Sequence, residues 1–134
     1  EGGSDRPGIL AVDLDRFKRV NDDLGHAMGD RVLCEAVSVM RAVCGSDRPV
    51  VRLGGDEFVV MVRADELGLA WLARRLAGEL RNRLGAISGG RCGASVGAAL
   101  LRDAEEPAED LIARADAELY AAKARIRTGL RSAA

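Results

Sequence analysis

Four carboxylates stand where apolar stretches meet turns, and they are the residues of this sequence best suited to chemistry. Asp13 and Asp15 close the apolar run 9–14, and Asp56 and Glu57 follow a pair of glycines. Taken singly, an Asp-x-Asp before a helix is typical of a capping residue beside a solvated charge, and acids are common in turns. Their chemistry therefore depends on whether the fold brings the two pairs together.

The first half of the chain predicts one strand and two helices. The run 9–14 is short, apolar and closed by acids, which indicates a buried strand. Asp15 stands where a helix N-cap would stand, and the helix after it breaks at Gly25. Apolar residues recur at helical spacing over 28–43, which predicts a second helix that ends at Gly45. The apolar positions of these two helices are Phe17, Val20, Leu24, Leu33, Val37 and Met40.

The second half predicts a hairpin, a helix, a strand and a final helix. Two β-branched runs, 49–53 and 58–62, flank a Gly-Gly-Asp-Glu turn whose composition suits positive φ angles. Periodic apolar residues then indicate the remaining elements. These are a helix over 69–84, a strand over 94–101 and a helix over 108–127.

This order of elements predicts a ferredoxin-like α+β fold, with a mainly antiparallel central sheet flanked by helices. A right-handed crossover makes the strand 9–14 parallel to the strand 49–53. The end of the first strand and the tip of the hairpin then lie at the same edge of the sheet. We therefore expect Asp13 close to Asp56 and Glu57.

Carboxylates held together in this way repel one another unless a cation neutralises them, and oxygen-only ligand sets are those that Mg²⁺ prefers. Magnesium is usually held by one or two carboxylates together with substrate phosphates, so the site predicts a bound nucleotide. Gly54 and Gly55 have no Cβ and allow a phosphate or ribose to approach the backbone.

Composition excludes several other classes of function. The chain has 20 basic against 21 acidic residues and a net charge of −1, which gives no field to attract a nucleic acid or an anionic membrane. No apolar run is long enough to span a bilayer. Three cysteines without Cys-x-x-Cys spacing suggest neither disulfides nor zinc, and we expect small buried residues in a reducing, cytoplasmic setting.

Three motifs together resemble the GGDEF family of diguanylate cyclases. Residues 54–58 read Gly-Gly-Asp-Glu-Phe, the signature that names the family. Residues 13–30 are similar to its D-x-D-x-F-K-x-x-N-D-x-x-G-H-x-x-G-D, and residues 115–123 to its A-D-x-A-L-Y-x-A-K. The motifs occur in the family's order, and the resemblance covers residues 8 to about 128. It implies the nucleotidyl-cyclase type of the predicted fold.

The resemblance implies the roles of the acids. Asp13 and Asp56 would hold two Mg²⁺ or Mn²⁺ ions per active site, with the backbone carbonyl of Leu14 as a further ligand. Glu57 would be a ligand or would help to deprotonate the nucleophile. Asp15 is expected to tune this site while it caps its helix.

The resemblance also implies the nucleotide contacts. Asn21 and Asp30 would read guanine, since a carboxylate accepts hydrogen bonds from the base's donors and an amide can match its acceptor side. Lys18, Lys123 and Arg127 would neutralise the triphosphate. Lys123 and Arg127 are four residues apart on one predicted helix and so share a face.

The implied activity is condensation of two GTP molecules into cyclic di-GMP, a bacterial signalling molecule. Because the family binds one GTP per domain, catalysis would need a homodimer, transient for this chain, and we expect an upstream sensory or dimerisation domain. The alternatives are a non-catalytic GTP-binding regulatory or dimerisation module and a purely structural interaction domain. The last would leave the clustered acids and glycines without a reason.

The chain departs from the family pattern in three places. Nothing in residues 1–8 resembles the D-x-L-T-G-L-x-N-R segment that precedes the first strand. The product-inhibition motif R-x-x-D falls on residues 45–48, Gly-Ser-Asp-Arg, which leaves only a shifted variant conceivable. The usual G-R-N near the end keeps only Arg127. We expect a linker or cut end over 1–7, a catalytic domain over 8–128 and a tail over 129–134.

Overall fold

The computed structural model describes the backbone of residues 4–133 and the side chains of residues 4–126 and 128. One four-stranded sheet has the order β2-β3-β1-β4, and every neighbouring pair is antiparallel. The strands are β1 (Arg6–Asp15), β2 (Val50–Arg52), β3 (Glu57–Ala64) and β4 (Gly93–Leu100). The helices are α1 (Phe17–Leu24), α2 (His26–Cys44), α3 (Glu66–Ile87) and α4 (Ala108–Ala133). The predicted fold class is confirmed, and β1 runs parallel to β2 with β3 between them.

Side-chain alternation along β1 divides the molecule into two layers. Leu10, Val12 and Leu14 face α2 and α3 and belong to the larger apolar core. Ile9 and Ala11 face α4 and form a smaller core with apolar residues of that helix. Asp13 and Asp15 continue this second alternation, so they point to the α4 side of the sheet.

Local signals explain where the helices begin and end. Asp65 caps α3, since its carboxylate accepts a hydrogen bond from the backbone N–H of Gly68 at 2.8 Å. Gly45 ends α2 with a φ of +114°, a conformation that favours glycine. Glu109 and Asp110 in the first turn of α4 complement the positive end of its dipole.

The predicted cap of α1 is wrong. Arg16, with a φ of +61°, is the N-cap residue, and no side chain caps the helix. Asp15 instead makes its hydrogen bonds with Ser95 and Lys123, because the strand continues through it and turns it toward α4.

Two boundaries and the burial of the cysteines also differ from expectation. β1 begins at Arg6, inside the expected linker, because the Pro7 carbonyl still accepts a hydrogen bond from Leu101 N–H at 2.8 Å. α4 continues to Ala133 through the expected tail. Of the three cysteines only Cys92 is buried, and Cys34 is exposed.

In the part of the chain that the structure describes, no helix is both long enough and apolar enough to cross a bilayer.

Candidate active site

The end of β1 and the start of β3 lie side by side, as the topology predicted. Asp13 is the direct partner of Glu57 in the antiparallel register. The backbone N–H of Leu14 donates to the Asp56 carbonyl at 3.0 Å. The Leu14 side chain is buried in the core, so only its backbone can serve a ligand. The sheet thus brings the four predicted metal-site residues to one edge.

Arg52 fixes the turn that presents Asp56. Its guanidinium donates to the carbonyl oxygens of Gly54 at 3.0 Å and Gly55 at 2.7 Å. The expected positive φ angles are wrong, since neither glycine has one. A Cβ at Gly55 would meet nothing within 4 Å, and one at Gly54 would make an ordinary contact with Glu57. The fold itself therefore gives no reason for glycine at either position.

Lys123 reaches from α4 into the acids of β1. Its Nζ lies 3.1 Å from Asp13 Oδ2 and 2.7 Å from Asp15 Oδ1. The fully buried Ser95 donates from its Oγ to the other oxygen of Asp15 at 2.8 Å. A chain of polar contacts therefore runs from β4 through Asp15 and Lys123 to Asp13.

The carboxylate of Asp13 is partly buried and has a shifted pKa. Its Oδ1 is buried without a hydrogen-bond partner among the described residues. Burial raises the pKa of Asp13 above its usual value, and the hydrogen bond and charge of Lys123 only partly offset this, while Asp56 and Asp15 raise the pKa further. Such an oxygen is available to a cation.

Lys123 shows the complementary shift. Burial alone would lower its pKa, but the hydrogen bonds and charges of Asp15 and Asp13 outweigh burial and raise the pKa above its ordinary value. Lys123 is therefore protonated at neutral pH and contributes a positive charge among the acids.

The metal site is not a ready-made cage. Among residues whose side chains are described, no three or more His, Cys, Asp or Glu are grouped to hold a metal ion. The donor set still fits Mg²⁺, because this ion commonly takes one or two carboxylates and completes its shell with water and phosphate oxygens. Asp13 supplies a buried oxygen that no described residue contacts through a hydrogen bond, and Asp56 is near enough to act on the pKa of Asp13.

The predicted base-reading residues lie at the junction of α1 and α2. The half-buried Asn21 packs its amide oxygen against Gly29, at a position where a Cβ would clash. Asp30 follows Gly29 on α2 and is exposed. A side chain at position 29 would displace the Asn21 amide, which lies directly beside the residue that precedes Asp30.

The predicted phosphate-binding cations separate into three cases. Lys18 is 88% exposed on α1 and pairs with Asp22 at 2.9 Å, so the fold does not bring it into the acid cluster. Lys123 lies within the cluster. Arg127 follows it by one turn of α4, but its side chain lies outside the described residues.

A family profile described as "Diguanylate cyclase, GGDEF domain" matches residues 3–128. The chain belongs to this family. Its fold is thus that of a domain family associated with cyclic di-GMP synthesis.

Two relatives resemble the chain over most of its length. It is 40% identical over 130 residues to a 19.3 kDa protein of Streptomyces ambofaciens, and the match covers 96% of the chain and 69% of that protein. It is 36% identical over 121 residues to the probable diguanylate cyclase DgcE of Escherichia coli, covering 88% of the chain but only 11% of DgcE. The match says nothing about the rest of DgcE.

A solved structure shares the fold at moderate sequence identity. It contains the coiled coil and GGDEF domain of DgcB from Caulobacter crescentus in complex with c-di-GMP. The TM-score is 0.73 at 31% identity, and the match covers 88% of this chain and 65% of that one.

Sequence reasoning missed Ser95 in this GGDEF domain. It is the one hydroxyl in the strand Gly93–Leu100, where every other residue is glycine or apolar. Register pairs Ser95 with Asp13. A lone polar residue in a strand that is otherwise small and apolar was the available signal, because a buried hydroxyl needs a partner.

Proposed function

We propose that this chain is a catalytic diguanylate cyclase domain, which condenses two GTP molecules into cyclic di-GMP and releases two pyrophosphates. The observation that carries the proposal is the buried Asp13 Oδ1, which has no hydrogen-bond partner among the described side chains and lies near Asp56 and the hairpin. Fold stability gives no reason to bury a free carboxylate oxygen, since an unsatisfied buried acceptor is costly. A site that receives a cation and a phosphate does give one.

Asp13, Asp56, Glu57 and the carbonyl of Leu14 are the groups that would hold two Mg²⁺ or Mn²⁺ ions. When bound, the metals would lower the pKa of the attacking 3′-hydroxyl and neutralise charge on the phosphoryl group and the leaving pyrophosphate. Glu57 is exposed at the start of β3, where it can accept the proton of that hydroxyl. Asp13 lies directly opposite Glu57 on the neighbouring strand.

The glycine turn and the helical residues would bind the nucleotide. Gly55 leaves open space where a side chain would project, and at Gly54 only Glu57 is near, which lets a triphosphate lie against the backbone. Asn21 and Asp30 would pair with the guanine edge. Lys18, Lys123 and Arg127 would contact the phosphates, and Lys18 would have to leave Asp22 to do so.

Two copies must meet for the reaction. The 3′-oxygen of one GTP forms a bond to the α-phosphorus of the other, the bond to pyrophosphate breaks, and a second attack closes the ring. With one GTP per domain, each domain presents its nucleotide to its twin. The DgcB structure joins a coiled coil to its GGDEF domain, and an upstream element of this kind would raise the effective concentration of the partner.

Product analysis tests the function. The chain incubated with GTP and Mg²⁺ should release cyclic di-GMP and pyrophosphate in a ratio of one to two, with specific activity rising with protein concentration. A domain that binds GTP and releases neither product would instead be a regulatory module. Activity per mole that stays constant over a hundredfold dilution would contradict the transient dimer.

Base choice gives a second test that does not need turnover. The native chain should bind GTP more tightly than ATP, because adenine offers a carboxylate the opposite donor and acceptor pattern. Asp30→Ala should narrow this preference, and Asp22→Ala, an exposed acid on α1, is the matched control. Equal affinity of the native chain for both nucleotides would remove the assignment of Asp30.

A further inference from the structure

Lys123 occupies the place where positive charge is needed in the acid cluster. Its side chain is 25% exposed, and those of Asp13 and Asp15 are 18% and 21% exposed. These groups are too buried for an ordinary solvated surface pair. A buried ion pair holds only when its geometry and its additional hydrogen bonds compensate the lost hydration.

Two features of the fold hold Lys123 there. Ser95 orients Asp15 from β4, so that its second oxygen faces α4. Gly97, two residues further along β4, lies directly against the backbone of Ala115 and Leu119 in α4. Leu119 is one turn before Lys123, so this close approach of the helix brings the ammonium to β1.

Lys123 has contact with only one oxygen of Asp13. The ammonium lies on Oδ2, whereas the buried Oδ1 has no partner among the described residues. A divalent ion arriving at Asp13 would meet a positive charge a few ångströms away. Two cations at such a distance repel each other in a partly buried site, which favours a position of the lysine further from Asp13.

We propose that Lys123 is a displaceable resident cation. While metal is absent, Asp15, which Ser95 orients, holds the Lys123 ammonium beside Asp13. When a metal binds at Asp13, the Lys123 side chain turns away from β1 toward the nucleotide phosphates. Ser95 and Asp15 are the positioning residues of this exchange. The inference rests on the proposed function for the identity of the metal and the nucleotide, and it makes their binding mutually favourable.

Metal affinity without nucleotide tests the exchange. Free Mn²⁺ is followed by electron paramagnetic resonance in the native chain and in Lys123→Met and Lys18→Met. Lys123→Met should bind Mn²⁺ at least about tenfold more tightly, because no ammonium has to be displaced. Lys18→Met removes the same charge from an exposed site and should change the affinity by less than about twofold. Equal affinity of Lys123→Met and the native chain would overturn the proposal.

A second measurement uses the native chain, in case Lys123→Met folds poorly. Lys18 and Lys123 are its only lysines, so mass spectrometry can follow their relative acetylation. Saturating Mn²⁺ alone should raise the ratio of Lys123 to Lys18 acetylation at least about threefold, since release from the ion pair with Asp13 uncovers the amine. Further addition of a non-hydrolysable GTP analogue should lower the ratio of Lys123 to Lys18 acetylation again, because the phosphates would then cover the Lys123 amine. An unchanged ratio at saturating Mn²⁺ would contradict the displacement.

These outcomes separate the exchange from the enzyme activity. Cyclic di-GMP formation with an acetylation ratio that ignores Mn²⁺ would remove the exchange and leave the proposed function. A ratio that responds to Mn²⁺ without product would do the reverse. If neither the native chain nor Lys123→Met bound Mn²⁺, both would fail.

Discussion

The two faces of the sheet have different tasks. The face toward α2 and α3 is closed and apolar, with Leu10, Val12, Val60 and Leu80 almost fully buried. The face toward α4 has a smaller core. Met61 of β3 lies on this face, where α4 does not cover it fully, and is 49% exposed.

The acids belong to the second face. β1 places Asp13 and Asp15 on the α4 side, and its even-numbered residues on the closed side. The closed face can therefore stabilise the fold without touching the site, and the half-covered face can hold charged groups near water. This division predicts that stability and activity respond to different substitutions.

The largest expected effect is on activity. Asp13→Asn should lower the rate of cyclic di-GMP formation at least about a hundredfold, because it removes charge that stabilises the transition state through the metal. Its melting temperature in the absence of metal should not fall, since the change relieves a buried carboxylate. The matched control is Asp116→Asn, an exposed acid on α4, which should keep normal activity. A normal rate for Asp13→Asn would show that the metal site lies elsewhere.

The second effect is on stability alone. Leu80→Ala empties a fully buried position of the closed face and should cost about 2–5 kcal/mol of unfolding free energy. Urea denaturation would measure this. Leu67→Ala, at an 84% exposed position of the same helix, is the control and should change stability by less than about 0.5 kcal/mol. A cost below 1 kcal/mol for Leu80→Ala would mean that the closed face is not the main core.

Two glycines compare the faces more finely. Gly97→Ala would place a Cβ against the α4 backbone, which cannot give way as a side chain can, and should destabilise by about 1–3 kcal/mol. Gly85→Ala meets nothing within 4 Å in α3 and should be neutral or stabilising by up to about 1 kcal/mol. Thermal denaturation of both variants checks the contrast, and equal destabilisation would contradict the close packing of α4.

The smallest effect concerns an ion pair beside α4. Glu106 accepts hydrogen bonds from Arg114 at 2.7 Å and 3.0 Å, which lower its pKa below the usual 4.5. The pair therefore stabilises the fold at pH values above the usual pKa of Glu106. Its contribution disappears as the pH falls through the lowered pKa of the folded state. Glu106→Gln should melt slightly below the native chain at pH 7, and the difference should vanish in acid. A constant difference between pH 7 and pH 3 would contradict this.

Sequence reasoning reached the fold and the placement of the acids because both follow from periodicity and topology. The alternation in β1 and the crossover suffice to bring Asp13 to Glu57. The motif resemblance supplied the family. These are properties of the chain's order and do not need side-chain geometry.

The wrong predictions concern features that depend on three-dimensional contacts and backbone angles. Asp15 was predicted to cap a helix. The local sequence does not show that Ser95, eighty positions later, and Lys123 each donate a hydrogen bond to one of its oxygens. The glycines of the hairpin looked like turn formers, and only the backbone angles show that the turn does not need them. The roles of the nucleotide-binding residues remain predictions.

Catalysis and stability depend on different faces of the sheet, and one paired measurement on two variants can show this. Asp56→Asn and Leu80→Ala are each assayed for melting temperature and for cyclic di-GMP formed per folded molecule, well below the lower melting point. We expect Asp56→Asn to keep its melting temperature and to lose at least about a hundredfold in rate. Leu80→Ala should melt several degrees lower and keep nearly its full rate. A folded, fully active Asp56→Asn, or a Leu80→Ala that is inactive while folded, would contradict it.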